Sequence, residues 1–133
     1  RGQLRVLADR VAARRAVFEA YREHLASLDW IEWMPTPEWS YSTHWLSAAT
    51  IKPEISDLTA SEVVSRLAAE FIEARPIWKP MHLQPVFAHN RYYPHGNTSV
   101  SDVIFERGFC LPSGSNLTSE NIDRVVVALA SLR

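Results

Sequence analysis

Glycine, lysine and cysteine are all scarce in this chain. Four glycines in 133 residues are too few for a phosphate-cradling loop together with the usual turns. A lone cysteine, Cys110, excludes an intrachain disulfide framework and suits a reducing compartment. No apolar run approaches the ~20 residues of a membrane-spanning helix. An excess of one charge is also missing. The 14 basic side chains are matched by 15 acidic ones, which argues against a nucleic-acid arm or a polybasic membrane anchor. There is no internal repeat, low-complexity segment or linker. What remains is 47% hydrophobic and 22% charged, the balance of one soluble globular domain. The chain opens at Arg1 inside a helical pattern, without an initiator methionine, and the expectation is a fragment of a longer protein.

Apolar residues at Leu4, Leu7, Val11, Phe18, Tyr21, Leu25 and Leu28 fall on one face of a long helix, about 2–28. Such a helix, about 37 Å long, is suited to bridging two bodies or packing on another chain. The alternative is that it closes its own core. Two prolines in the 30–39 segment imply an extended edge. Residues 41–51 and 72–78 read as strands. Thr59 and Glu62 form a capping box ahead of a helix facing inward through Val63, Val64, Leu67, Ala68 and Phe71. Ser99 and Asp102 start a short helix through Glu106. Gly108 then fits a left-handed cap, and residues 109–112 fit a short buried strand. Thr118 starts a last helix with Ile122, Val125, Val126 and Leu129 inward. The order predicts an α+β fold: an αβ sandwich with one small, mostly antiparallel sheet over an αβ body of about 30–133.

The densest polar cluster is Arg75-Pro76-Ile77-Trp78-Lys79-Pro80-Met81-His82-Leu83-Gln84-Pro85. Three prolines lower the entropy cost of presenting its cations, amide, imidazole and indole. Arginine and lysine suit phosphate or carboxylate oxygens, and an indole offers a stacking face. The cluster therefore reads as an anion-binding loop, or as a charged surface turn on a buried Trp anchor. His82, His89 and His95 lack the tight ligand pairs of a zinc site. His44 reads as a packed or surface histidine within a strand. Cys110, between Phe109 and Leu111, reads as a core cysteine rather than a reactive thiol. Ser113-Gly114-Ser115 lacks the context of a nucleophile elbow and reads as a turn whose amides could hold an anion. The only lysines, Lys52 and Lys79, adjoin prolines and show no sign of a desolvated pocket.

The run RPIWKPMHLQ from Arg75 to Gln84 resembles a signature of the DegT/DnrJ/StrS sugar aminotransferases, pyridoxal-phosphate enzymes of the aspartate-aminotransferase superfamily. Two further segments are similar in order and spacing. Arg1-Gly2-Gln3-Leu4, followed by Leu7, Arg10-Val11 and Arg14-Arg15, resembles the helix opening the family's C-terminal region. Phe105 to Ser115, with Leu117-Thr118, resembles its closing motif. Trp45-Leu46 fits a family strand. The resemblance spans essentially the whole chain.

It implies that the chain is the C-terminal small domain of such an enzyme, like that of a fold-type-I pyridoxal-phosphate protein. The larger N-terminal domain, absent here, would hold the Schiff-base lysine and most cofactor contacts. The parent reaction implied is amino transfer from a donor, usually glutamate, to a nucleotide-linked keto sugar. The parent is expected to bind pyridoxal phosphate as a cytoplasmic homodimer, with no nucleic-acid or membrane partner. The fragment itself is expected to be inactive and without cofactor. Arg75, Trp78, Lys79 and His82 are the expected substrate-binding residues. Phe71 stands where relatives often have a small residue, and its ring is expected in the core. Two readings compete: a non-enzymatic αβ module that binds an anionic ligand or regulates, and a thiol-dependent hydrolase built on Cys110.

Overall fold

A computed structural model describes residues 2–94 and 96–132; Arg1, His95 and Arg133 lie outside them. Those three include the first residue of the opening family-like segment and the third of the spaced histidines. A 3-10 turn, Gln3–Val6, leads into helix α1, Leu7–His24. Strands β1 (Ile31–Trp33) and β2 (Ser47–Ile51) follow, then helix α2 (Ala60–Ala69). Strand β3 (Arg75–Pro76), helix α3 (Val100–Arg107), strand β4 (Gly108–Leu111) and helix α4 (Ser119–Ala130) complete the order. The fold is α+β, as the element pattern predicts. All three strand pairings of the sheet, ordered β1-β2-β4-β3, are antiparallel.

Strand alternation sorts the sheet into two faces. Ser47, Ala49 and Ile51 of β2 and Phe109 and Leu111 of β4 share one face, and none is more than 1% exposed. Tyr21, Leu25 and Trp30 cover that face with Val63 and Leu67 of α2 and Val125 and Leu129 of α4. Each fully buried large side chain contributes about 1.5–3 kcal/mol of transfer free energy. The other face carries Ala48, Thr50, Gly108 and Cys110, with Arg75 opposite Cys110. Only part of it is roofed. A Cβ on Gly108 would lie 2.3 Å from the Ile104 carbonyl oxygen and 2.7 Å from Ile77 Cδ1. Glycine therefore lets α3 and the 77 segment approach that face.

Local chemistry explains where the sequence reading holds and where it fails. Both halves of the Thr59–Glu62 capping box are present, and α4 opens on its counterpart, with Asn121 in the glutamate's place. Ser99 accepts the Asp102 amide at the start of α3. Gly108, however, has φ −94 and ψ 138. It starts β4 directly, and close approach rather than a left-handed cap is what requires it. Helix α1 ends at His24, and Leu25 and Leu28 enter the core from the turn that follows. At its other end Leu4 and Leu7 are 70% and 53% exposed; cover of the helix by the core begins near Val17.

The 41–46 segment forms no strand. Arg14 and Arg15 of α1 donate to the Trp45 and Ser42 carbonyls, consuming acceptors that a ladder needs. His44 then takes φ 45. The second expected strand shrinks to Arg75–Pro76, an edge position that tolerates a missing proline N–H. Phe71 is also not in the core: its ring is 92% exposed and its φ is 57. Its amide donates to Ala68 and that of Ile72 to Leu67, a Schellman ending with phenylalanine where glycine is usual.

Candidate functional site

The unroofed part of the second sheet face is a cleft of about 440 Å³. Its lining includes Cys110 of β4, Glu73 and Arg75, and the indoles of Trp45 and Trp78. The two indoles stack with centroids 5.6 Å apart and planes inclined by 29°. Trp78 is 63% exposed and Trp45 59%, so Trp78 is not a buried anchor beneath a surface turn. That half of the alternative reading of the loop falls. An exposed aromatic pair beside a cation can take the face of a planar or carbohydrate ring and an attached anion.

Arg75 projects from edge strand β3, whose register puts it on the cleft side of the sheet. Its Nε lies 3.0 Å from Glu73 Oε1, and its Nη2 donates to the same oxygen. Nη1 has no hydrogen-bond partner among the described residues. Both side chains are more than two-thirds exposed, and such pairs open readily in water. An incoming phosphate or carboxylate can therefore reach the guanidinium without first breaking a buried contact.

The other two expected residues sit elsewhere. Lys79 is exposed and lines neither this cleft nor the next one; its carbonyl accepts Gln84 Nε2 at 3.2 Å. His82 belongs to a separate hollow of about 280 Å³ with Met81, Phe87 and Tyr92. Its ring stacks on Tyr92 at 3.8 Å. Its Nε2 lies 2.7 Å from Asp102 Oδ1, an ion pair when the imidazole is protonated but out of line for a hydrogen bond. Tyr92 continues the network through its hydroxyl to Ser99 Oγ at 2.8 Å. The structure thus brings Arg75 and Trp78 together, places His82 against the start of α3, and leaves Lys79 between them.

Sequence reasoning missed Trp45 as the partner of Trp78 and Glu73 as the partner of Arg75. The second had a signal: positions 73 and 75 are two apart and share a face in extended chain. Cys110 is 4% exposed, and burial pushes its thiol up from the ordinary range, so it is a poor nucleophile. Ser113 is buried and spoken for. It accepts the Ser47 amide at 2.7 Å and donates to the Leu111 carbonyl at 2.8 Å, while Tyr21 donates to the Pro112 carbonyl at 3.0 Å. The Ser113 hydroxyl is therefore structural, while Ser113 and Gly114 of the turn also line the cleft. Neither Lys52 nor Lys79 lines the cleft.

The architecture is a two-layer α+β lobe whose open sheet face carries an aromatic, cation-flanked cleft. The same fold occurs in DesV of S. venezuelae, at a TM-score of 0.82 and 23% identity, over 97% of this chain and 33% of that one. The sequence agrees in kind. Residues 1–130 match the DegT/DnrJ/EryC1/StrS aminotransferase family, and the chain belongs to that family. EpsN of Bacillus subtilis (strain 168), named as a pyridoxal phosphate-dependent aminotransferase, is 44% identical over 98% of this chain and 33% of its own. GDP-perosamine synthase of Caulobacter vibrioides is 29% identical over 96% of this chain and 33% of its own. The chain therefore spans about a third of the length of these relatives.

Proposed function

We propose that this chain is the C-terminal small domain of a pyridoxal phosphate-dependent aminotransferase. In this reading the whole protein moves an amino group from a donor, with glutamate the first candidate, to a nucleotide-linked keto sugar. The family match along residues 1–130 carries the reading. The name of EpsN supports the cofactor, and that of GDP-perosamine synthase supports a nucleotide-linked product. Bound pyridoxal phosphate supplies the electron sink for such chemistry. Because the two lysines here stand outside the cleft, a larger N-terminal domain would hold it, and this chain alone would be inactive. The whole protein would work as a cytoplasmic homodimer. Among the described residues, no helix is long and apolar enough to cross a membrane.

Within that enzyme the cleft is a substrate wall. Arg75 exchanges its exposed partner Glu73 for a phosphate or carboxylate oxygen. Trp78 and Trp45 offer their faces to a base or sugar ring. Lys79 adds a mobile cation beside them, and His82, held by Tyr92 and Asp102, adds a polar group at the far end of the loop. In the whole enzyme, Arg75→Ala is expected to raise the KM for one substrate about tenfold, the worth of one charge-assisted contact. Steady-state kinetics with each substrate varied in turn measure this. An unchanged KM for both substrates rejects the assignment.

A further inference from the structure

A second hollow, also of about 440 Å³, opens where the last turns of α1 face the segment after β1. Its walls include Arg15, Phe18, Arg22, Thr36 and His44. His44 is 8% exposed, and its imidazole stacks on Phe18 with centroids 3.7 Å apart and planes within 8°. The stack fixes the ring in the wall of the hollow. The His44 backbone amide donates to Ser42 Oγ, yet neither ring nitrogen has a hydrogen-bond partner among the described residues. An unpaired imidazole in the wall of a hollow is free to take a partner there. Its backbone is also held at φ 45, a conformation uncommon outside glycine.

The charged groups that face the ring are Arg15, Glu19 and Arg22, all from α1; the opposite wall, Met34, Pro35 and Thr36, has no ionisable group. Arg22 pairs with Glu19 through Nη1 at 3.2 Å. Arg15 gives Nη1 to the Ser42 carbonyl and lies over the Tyr41 ring, 4.6 Å from its centroid. Two guanidiniums against one carboxylate leave an excess positive charge beside a neutral imidazole, with guanidinium donors still open. We propose that this hollow binds a small oxyanion, a phosphate or a carboxylate, through Arg15, Arg22 and His44. It is a site distinct from the Arg75–Trp78 cleft. Burial first, then the two arginines, hold the His44 imidazole below its ordinary 6.5, with Glu19 opposing. A bound anion offsets the arginine contribution and favours the imidazolium, so binding and protonation of His44 reinforce each other.

The test follows the ring of His44 by NMR in the whole protein labelled at histidine, with His44→Gln assigning its resonance. Inorganic phosphate and, separately, acetate are titrated in, with chloride at matched ionic strength as reference. A saturable shift of the His44 ring signal and a titration midpoint moved upward at saturation are expected. Arg22→Gln, which leaves the Arg15 anchor of the loop intact, is expected to weaken the apparent affinity about tenfold. Stronger binding of phosphate assigns the site to phosphate-bearing ligands, and stronger binding of acetate to carboxylates. A linear response no larger than that of chloride, or binding unchanged in Arg22→Gln, overturns the proposal.

Discussion

Phe71 spends free energy twice over. A left-handed conformation costs a residue with a Cβ about 1–2 kcal/mol, and its ring stays in water. Glycine removes the first cost but gives the unfolded chain more freedom. Phe71→Gly is therefore expected to stabilise the fold by about 0.5–1 kcal/mol. Urea denaturation measures the gain as a higher midpoint at an unchanged slope. A loss of stability would show that the ring makes a favourable contact. The position was hard to read because composition marks a left-handed helix end by glycine. With phenylalanine in place, the local pattern pointed inward instead. Cys110 was the converse case, since its apolar neighbours Phe109 and Leu111 announce a buried strand.

Secondary-structure elements were legible where their determinants lie within a few residues. The Thr59–Glu62 pair is such a case: the hydroxyl accepts the Glu62 amide at 3.2 Å, and the carboxylate accepts the Thr59 amide at 2.8 Å. Thr59→Ala removes one half of the box and orphans a helix donor. It is expected to cost about 1 kcal/mol in thermal or chemical unfolding, with Thr59→Ser restoring most of it. An unchanged midpoint in Thr59→Ala would contradict the capping role. The 41–46 segment shows the opposite situation. Its β-branched and aromatic residues suit a strand, but its carbonyls are claimed by arginines 27 and 31 positions earlier in the chain. No local pattern carries that information. The end of α1 is similar, because burial of Leu25 and Leu28 in the turn depends on the sheet they meet.

At the scale of the molecule, the α+β class and the antiparallel sheet followed from element order, and the family from three segments in sequence. The candidate site was only half legible. Arg75 and Trp78 stood out because three prolines and a dense polar run mark one continuous loop. Trp45 comes from the approach to β2 and Cys110 from β4, so their meeting with that loop depends on the β1-β2-β4-β3 strand order. The same dependence separates His82 from Arg75: seven residues apart in sequence, they face different hollows, because Tyr92 and Asp102 draw the imidazole toward α3. The most direct measurement of the functional account is a pair of half-reactions on the whole protein loaded with pyridoxal phosphate. Glutamate alone is expected to convert the cofactor's absorbance to that of its amine form, and a nucleotide-linked keto sugar to restore it with release of the aminated sugar. A cofactor band that no amino donor alters, or an amine form that no nucleotide-linked keto sugar discharges, would contradict the account.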